Sequence, residues 1–426
     1  MTSATSLPLH QQTYSLEHDR FIDLVANTDN LLIIQDLDGV CMSLVKDPLD
    51  RQIDPDYVTA TQAFEGHFYV LTNGEHIGQR GVNGIIERAF GDSAAVRAKG
   101  QYLPGLAAGG VQWQTRQGEI QHPGVSEAEL AFLKTVPDRI RQTLQRFAAA
   151  QALSLEADEL ERCLQSSALT NVASPTANLN TFHAAIGGDR DIYVALQQAM
   201  QALMATLLSE AAEQGLADSF FVHYAPNHGR DEQGKEVIWL SQGDESGTTD
   251  FQFMLRGAIK EAGVLALLNR YYAQQTGTYP LGADFSVRTA PHAHQALIDL
   301  VQERFDPAAM PLIVGVGDTI TSKVMTVAGE PAAKRGGSDR NFLHLVQDIG
   351  RSFNIGNIVT YVDSSGGELK NRKALKLRPD EGALTVVEGP GDPEDTTDPL
   401  DLNVVFPEGY QQYCAAFIAA AQQRSR

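Results

Sequence analysis

Short apolar runs that end abruptly in polar residues recur along this chain. LLIIQ (31–35) runs into Asp36, HFYVLTNGEH (67–76) ends in a polar turn, and MPLIVGVGDT (310–319) and NIVTYVD (357–363) repeat the pattern. Continuous apolar runs of this length predict strands buried on both faces. Helical spacing is found in GVNGIIERAFGD (81–92), FLHLVQDIGRSF (342–353) and YQQYCAAFIAAAQQ (410–423), and LNVVF (402–406) reads as one more strand. Strands that alternate with helices predict an α/β core with a doubly wound parallel sheet.

Between the second and third strands the pattern changes. Residues 126–165 and 191–215 read as long helices, 220–243 as two strands around a polar loop, and 251–275 as another helix. This predicts an α+β insertion placed over the open end of the sheet. The expected division is a flexible arm at 1–20, a first core segment at 21–100, the insertion at 101–283, and a second core segment at 284–426. GPGDPEDTTDPLD (389–401) is expected to be an exposed acidic loop.

At 426 residues the chain exceeds what a single core normally serves, in keeping with an insertion. The formal net charge of −20 argues against nucleic acid or an anionic membrane as a general partner. A bound metal would still admit a small anionic substrate. The N-terminus has no basic start followed by an apolar run, and no run reaches the roughly 18 apolar residues that span a bilayer. Cys41, Cys163 and Cys414 are widely spaced and odd in number, which fits a reducing, cytoplasmic setting with Cys41 as a small buried filler.

Ligands of open parallel sheets bind beyond the carboxyl ends of the strands. Three strands end in Asp36-Leu37-Asp38-Gly39, Thr72-Asn73-Gly74 and Gly317-Asp318-Thr319. If those tips converge, the residues suit phosphoryl transfer. Asp36 is the candidate nucleophile, and Asp38 the acid that protonates the leaving alcohol and then activates water. Thr72 and the amides of Asn73 and Gly74 are candidate holders of phosphate oxygens. A carboxylate approaching a phosphate requires a cation, and Mg²⁺ takes oxygen ligands: Asp36, Asp318 and the backbone carbonyl of Asp38 are the candidate set. Glu75 and His76 follow directly and are placed to meet a sugar hydroxyl. His292 and His294 stand near a helix start, where capping, exposure and a metal pair are all open. Arg335, Arg340 and Lys334 suggest an anion patch or a solubilised loop.

These motifs resemble those of the haloacid dehalogenase superfamily of phosphatases. Asp36-Leu37-Asp38-Gly39-Val40 matches its first motif, YVLTN with Thr72 its second, and IVGVGD with Asp318 its fourth. The resemblance implies an aspartyl-phosphate mechanism, a Mg²⁺ cofactor and a large cap of the family's C2 kind inserted after the second motif. QDLDGVCM, VLTNGEH, RTAPHAHQAL, VGVGDTITSKV and RGGSDRNFL further resemble phosphatases of glycosyl-polyol phosphates in compatible-solute synthesis. That implies glucosylglycerol 3-phosphate as substrate and, as a functional partner, the synthase that makes it. Another sugar phosphate, of trehalose or a glycosylglycerate, or a weakened sugar-phosphate-binding regulator, is the alternative. Two features depart from the superfamily pattern. The second acid after Asp318 falls near Thr321 or Ser322, neither acidic, which leaves open Asp339 as a replacement or a shell completed by water and hydroxyls. The third-motif cation is open among Arg288, Lys260, Lys235 and Lys323.

Overall fold

A computed structural model describes residues 7–45, 50–225, 227–230, 236–242, 245–327, 330–369, 372–380 and 383–425. The chain divides into two compact units: residues 1–76, 82–124 and 259–426 form the first, and 77–81 with 125–258 the second.

The first unit is built on an eight-stranded sheet. From the Leu31–Gln35 strand, Phe68–Leu71 and Gly105–Ala107 follow in parallel on one side. On the other side Leu312–Gly317, Ile358–Val362 and Val404–Phe406 follow, also in parallel. The winding direction therefore reverses at Leu31–Gln35, the position where such sheets open a crevice at their carboxyl ends. The α/β class and doubly wound sheet expected from sequence are the observed ones. Every residue of Leu31–Gln35 is buried, because helices cover both faces. Leu31 and Ile33 join a cluster with Phe21, Tyr57 and Phe417 from helices on one face. The Lys260–Thr276 and Arg340–Phe353 helices pack on the other.

Several sequence expectations change here. Residues 101–124 and 259–283 belong with the sheet and not with the insertion. Gly105–Ala107, Gln112–Gln114 and Ile120–Gln121 extend the sheet edge, and the Lys260–Thr276 helix lies against its strands. Gly263 makes that approach possible, since a Cβ there would stand 2.5 Å from Leu71 Cδ1. The arm is not loose over residues 7–20. Tyr14 N donates to Leu402 O and Ser15 N to Asn403 O, so this segment is tied to the sheet edge; residues 1–6 lie outside the described residues. The acidic loop is pinned rather than free, with Asp395 bonded by Arg335, Asp398 by Arg340 and Asp401 by Arg351. These pairs also account for the expected Arg335 and Arg340 patch.

The second unit packs the Glu127–Ala150, Ala157–Ser167 and Arg190–Glu213 helices with a four-stranded antiparallel sheet. The first of these helices starts at a capping box: Glu129 N donates to Ser126 Oγ, and Ser126 N donates back to Glu129 Oε2. Arg190–Glu213 is long and apolar enough on average to cross a membrane, a test that the core helix of a folded unit also passes, and Gln197, Gln198 and Gln201 interrupt its apolar run. In the structure Tyr193, Leu196, Met200 and Leu207 are buried within this unit. FQFML, expected to be helical, is the Asp250–Leu255 strand, with Phe251, Phe253 and Leu255 buried alternately.

Phe417 sits among Tyr57, Phe64, Phe68 and Tyr413 at ring separations of 5.0–6.1 Å. Phe417→Ala is expected to destabilise the first unit by about 3–5 kcal/mol, as measured by denaturant unfolding.

Candidate active site

Parallel pairing brings two remote carboxylates to neighbouring strand ends. Gln35 pairs with Val316, and Asp36 N donates to Val316 O at 2.9 Å. Asp36 and Asp318, each one residue past its strand, therefore emerge side by side. Asp339 joins them from the start of the Arg340–Phe353 helix, and one oxygen from each of the three lies within 4.8 Å of the others. All three side chains are buried.

Lys260 opens the helix that lies against the sheet, and it is buried as well. Its Nζ is 2.9 Å from Asp36 Oδ2 and 2.7 Å from Asp339 Oδ1. The second Asp339 oxygen accepts from the amides of Asp318 and Thr319, at 2.9 and 3.0 Å. Asp339 thus braces both the lysine and the turn that presents Asp318.

Three carboxylates facing one ammonium leave an excess of two negative charges when all are ionised. Burial, with Lys260 opposing and Asp339 adding to it, pushes Asp36 up to about 7. Burial, Asp339 and Asp36 push Asp318 well above the carboxylate range. Burial alone would raise Asp339, but Lys260 and the two amides outweigh it and lower its pKa. Burial likewise disfavours the Lys260 charge, and its two acidic partners outweigh that and raise its pKa.

The donor set fits a divalent cation. Asp36 Oδ1 and Asp318 Oδ2 are buried and accept no hydrogen bond from the described residues. Two open carboxylate oxygens in a site with excess negative charge are what an oxygen-preferring ion such as Mg²⁺ requires. The Asp36 loop is shaped around them. Gly39 has φ +79°, and a Cβ there would stand 2.2 Å from Asp318 Oδ2, so only glycine lets the chain cross at this point. Arg372 adds a second cation, with Nε 3.9 Å from Asp318 Oδ2 and Nη2 donating to Thr319 Oγ1.

The Phe68–Leu71 strand brings in the third tip. Thr72 is buried, and its Oγ1 accepts from Gly74 N at 3.2 Å. Asn73 is exposed at the turn. Asp38 Oδ2 lies 4.0 Å from where a Cβ on Gly74 would stand, so the second aspartate faces this turn. Arg51 Nη1 donates to both Asp38 oxygens, at 3.0 and 2.9 Å.

The family model for glucosylglycerol-phosphate phosphatase matches residues 30–421. The chain belongs to the glucosylglycerol-phosphate phosphatase family. It is 58% identical over 416 residues, 98% of each chain, to the glucosylglycerol-phosphate phosphatase of Synechocystis sp. (strain ATCC 27184 / PCC 6803 / Kazusa). Among solved structures, Aspergillus fumigatus trehalose-6-phosphate phosphatase is 10% identical with a TM-score of 0.38, over 96% of this chain and 99% of that one. The C-terminal domain of C. albicans trehalose-6-phosphate phosphatase is 10% identical with a TM-score of 0.42, over the same shares.

In this member of the glucosylglycerol-phosphate phosphatase family, Asp36, Asp38, Thr72, Asn73, Gly74 and Asp318 all lie at the converging strand ends. Glu75 and His76 do not sit as expected. Both are buried in the wall behind the turn, where His76 N donates to Gln112 Oε1 and Gln112 Nε2 to Glu75 Oε2. His76 Nε2 donates to Gly105 O, and burial lowers its pKa to about 4, so it is a neutral brace with no route to a sugar hydroxyl. Of the candidate cations, Lys260 occupies the site, and Lys235 lies outside the described residues. Arg51 and Arg372 were not anticipated. Neither carries a motif signal, because both reach the site from loops.

The raised Asp36 pKa has a sign that can be measured. Between about pH 4 and pH 7 the native metal-free state holds a proton on Asp36 that the unfolded chain has lost, so rising pH costs stability across this window. In EDTA at pH 8, Asp36→Asn should be more stable than the parent by roughly 1–3 kcal/mol, with the gap closing towards pH 4. Denaturant unfolding at the two pH values checks both parts.

Proposed function

We propose that this protein is a Mg²⁺-dependent phosphomonoesterase that hydrolyses glucosylglycerol 3-phosphate to glucosylglycerol and phosphate. The observation that carries the reading is the pair of open oxygens on Asp36 and Asp318, in a buried cluster braced by Lys260, within a chain of this family.

The residues divide the work as follows. Asp36 and Asp318, with the Asp38 backbone carbonyl, would hold Mg²⁺. When bound, the ion neutralises charge that would otherwise repel the phosphate from the carboxylates. Asp36 attacks phosphorus, and Lys260 beside it stabilises the charge that develops on the phosphoryl oxygens. Thr72, with the Asn73 and Gly74 amides, holds those oxygens. For Gly74 this requires its amide to exchange the Thr72 Oγ1 partner for the phosphate. The ester P–O bond breaks as Asp38 gives its proton to the departing alcohol oxygen. Asp38 then takes a proton from water, which attacks the phosphorus of the aspartyl-phosphate, releasing phosphate and restoring Asp36. Arg51 fixes the Asp38 carboxylate beside the turn between these steps.

Three free, buried cysteines suit the reducing cytoplasm. The substrate must come from a glycosyl transfer that leaves the phosphate on glycerol, so a synthase of that class is the expected functional partner.

Phosphate release from glucosylglycerol 3-phosphate should exceed release from trehalose 6-phosphate and from a glycosylglycerate phosphate. It should vanish in EDTA and return with Mg²⁺. Equal turnover of all three esters would remove the substrate assignment, and activity indifferent to EDTA would remove the metal. Asp36→Asn should leave no turnover above background, while Asp38→Ala should lower kcat by about 10²–10⁴. Parental rates in either variant would contradict the assigned roles.

A further inference from the structure

A second group of metal-type donors lies in the first unit, on helices beside the sheet. His344 and Asp348 are four apart on the Arg340–Phe353 helix and so share one face. His294 reaches them from the first residue of the His294–Arg304 helix, which packs alongside. His294 Nε2 is 2.9 Å and His344 Nε2 is 3.1 Å from the same oxygen, Asp348 Oδ2. The two imidazoles are stacked, with centroids 4.5 Å apart and planes 20° from parallel. The other Asp348 oxygen is taken by Arg351 Nη1 at 3.1 Å, and Arg351 is anchored in turn by Asp401. His292, expected as a possible partner of His294, is exposed and stands outside the cluster.

We propose that His294, His344 and Asp348 form a second cation site, selective for a Zn²⁺-type transition-metal ion and separate from the carboxylate cluster at the strand ends. One donor atom from each residue lies within 4.8 Å of the others. In a tetrahedral zinc shell neighbouring donors stand roughly 3.4 Å apart, so the two histidine–aspartate distances need to open by only a few tenths of an ångström. The ion would replace the protons that the two imidazoles share with one carboxylate oxygen. Two imidazoles and a carboxylate suit Zn²⁺, whereas the all-carboxylate cluster suits Mg²⁺. The three residues are partly exposed, which leaves access for the ion and for water to complete its shell. Arg351 orients Asp348 as an outer partner of the kind metal-bound carboxylates use. An ion here would join two helices, one of which begins directly after Asp339.

The test uses the full-length, untagged protein stripped with EDTA and then held in saturating Mg²⁺. Zn²⁺ binding is measured by competition with a chromophoric chelator, and Co²⁺ binding by visible absorption. One equivalent of Zn²⁺ should bind despite the Mg²⁺, and Co²⁺ should give the intense bands of a four-coordinate site. His344→Asn and His294→Gln should each weaken Zn²⁺ by about tenfold or more, while Asp318→Asn leaves it unchanged. Asp348→Asn provides the same reading if a histidine variant unfolds, as monitored by circular dichroism. Binding that is equal in the parent and the His294→Gln/His344→Asn double variant, or that is lost with Asp318→Asn alone, would overturn the proposal.

Discussion

The buried Lys260 ammonium, clamped between Asp36 and Asp339, is the interaction on which the rest depends. Three buried carboxylates at one point would repel one another and take up protons. Lys260, with Arg372 3.9 Å from Asp318, offsets part of that repulsion and still leaves the site short of positive charge. The shortfall leaves Asp36 and Asp318 each with an oxygen that accepts no hydrogen bond among the described residues, and on the proposed reading it makes a cation and a phosphate complementary to the site together. Asp339 is least suited to touch the ion, because both its oxygens are committed. One is bonded to Lys260 and the other to the turn that carries Asp318.

The sheet supplies the geometry for this balance. Parallel strands deliver their ends to one edge, and the reversal of winding at Leu31–Gln35 leaves that edge open. Asp36 and Asp318 are neighbours because their strands are paired, although 282 positions separate them in the sequence. The close fit of the Lys260–Thr276 helix to the sheet, allowed by Gly263, brings its first residue to the same edge. Gly39 lets the Asp36 loop pass over Asp318. The chemistry is local, but each part of it is held by backbone packing that extends through the first unit.

Much of this was legible in the sequence where the signal was local. Apolar runs ending in Asp, Thr and Gly-Asp marked the strands and their tips. Signals that needed partners were not legible. Lys260 lies in a helix that reads as part of the insertion, and only its packing shows that it returns to the core. One sign was available: the residues from Ala262 to Leu268 are apolar or Gly throughout, the mark of a helix with no solvent face, and a lysine stands at its mouth. Asp339, the expected replacement acid, does join Asp36 and Asp318, but its bonds to Lys260 and to the turn carrying Asp318 were not legible. Glu75 and His76 looked available because they follow the Thr72–Gly74 turn, yet Gln112, on a strand too short to notice, draws both inward. FQFML failed on period, since its alternating burial was overridden by the helical stretch that follows.

The most direct measurement is a crystal structure of the protein with Mg²⁺ and fluoroberyllate. The account predicts one ion bonded to Asp36 and Asp318, beryllium on an Asp36 oxygen, and Lys260 beside the fluorides with Asp339 outside the metal shell. An ion bound away from Asp318, or a fluoroberyllate that leaves Asp36 untouched, would contradict it.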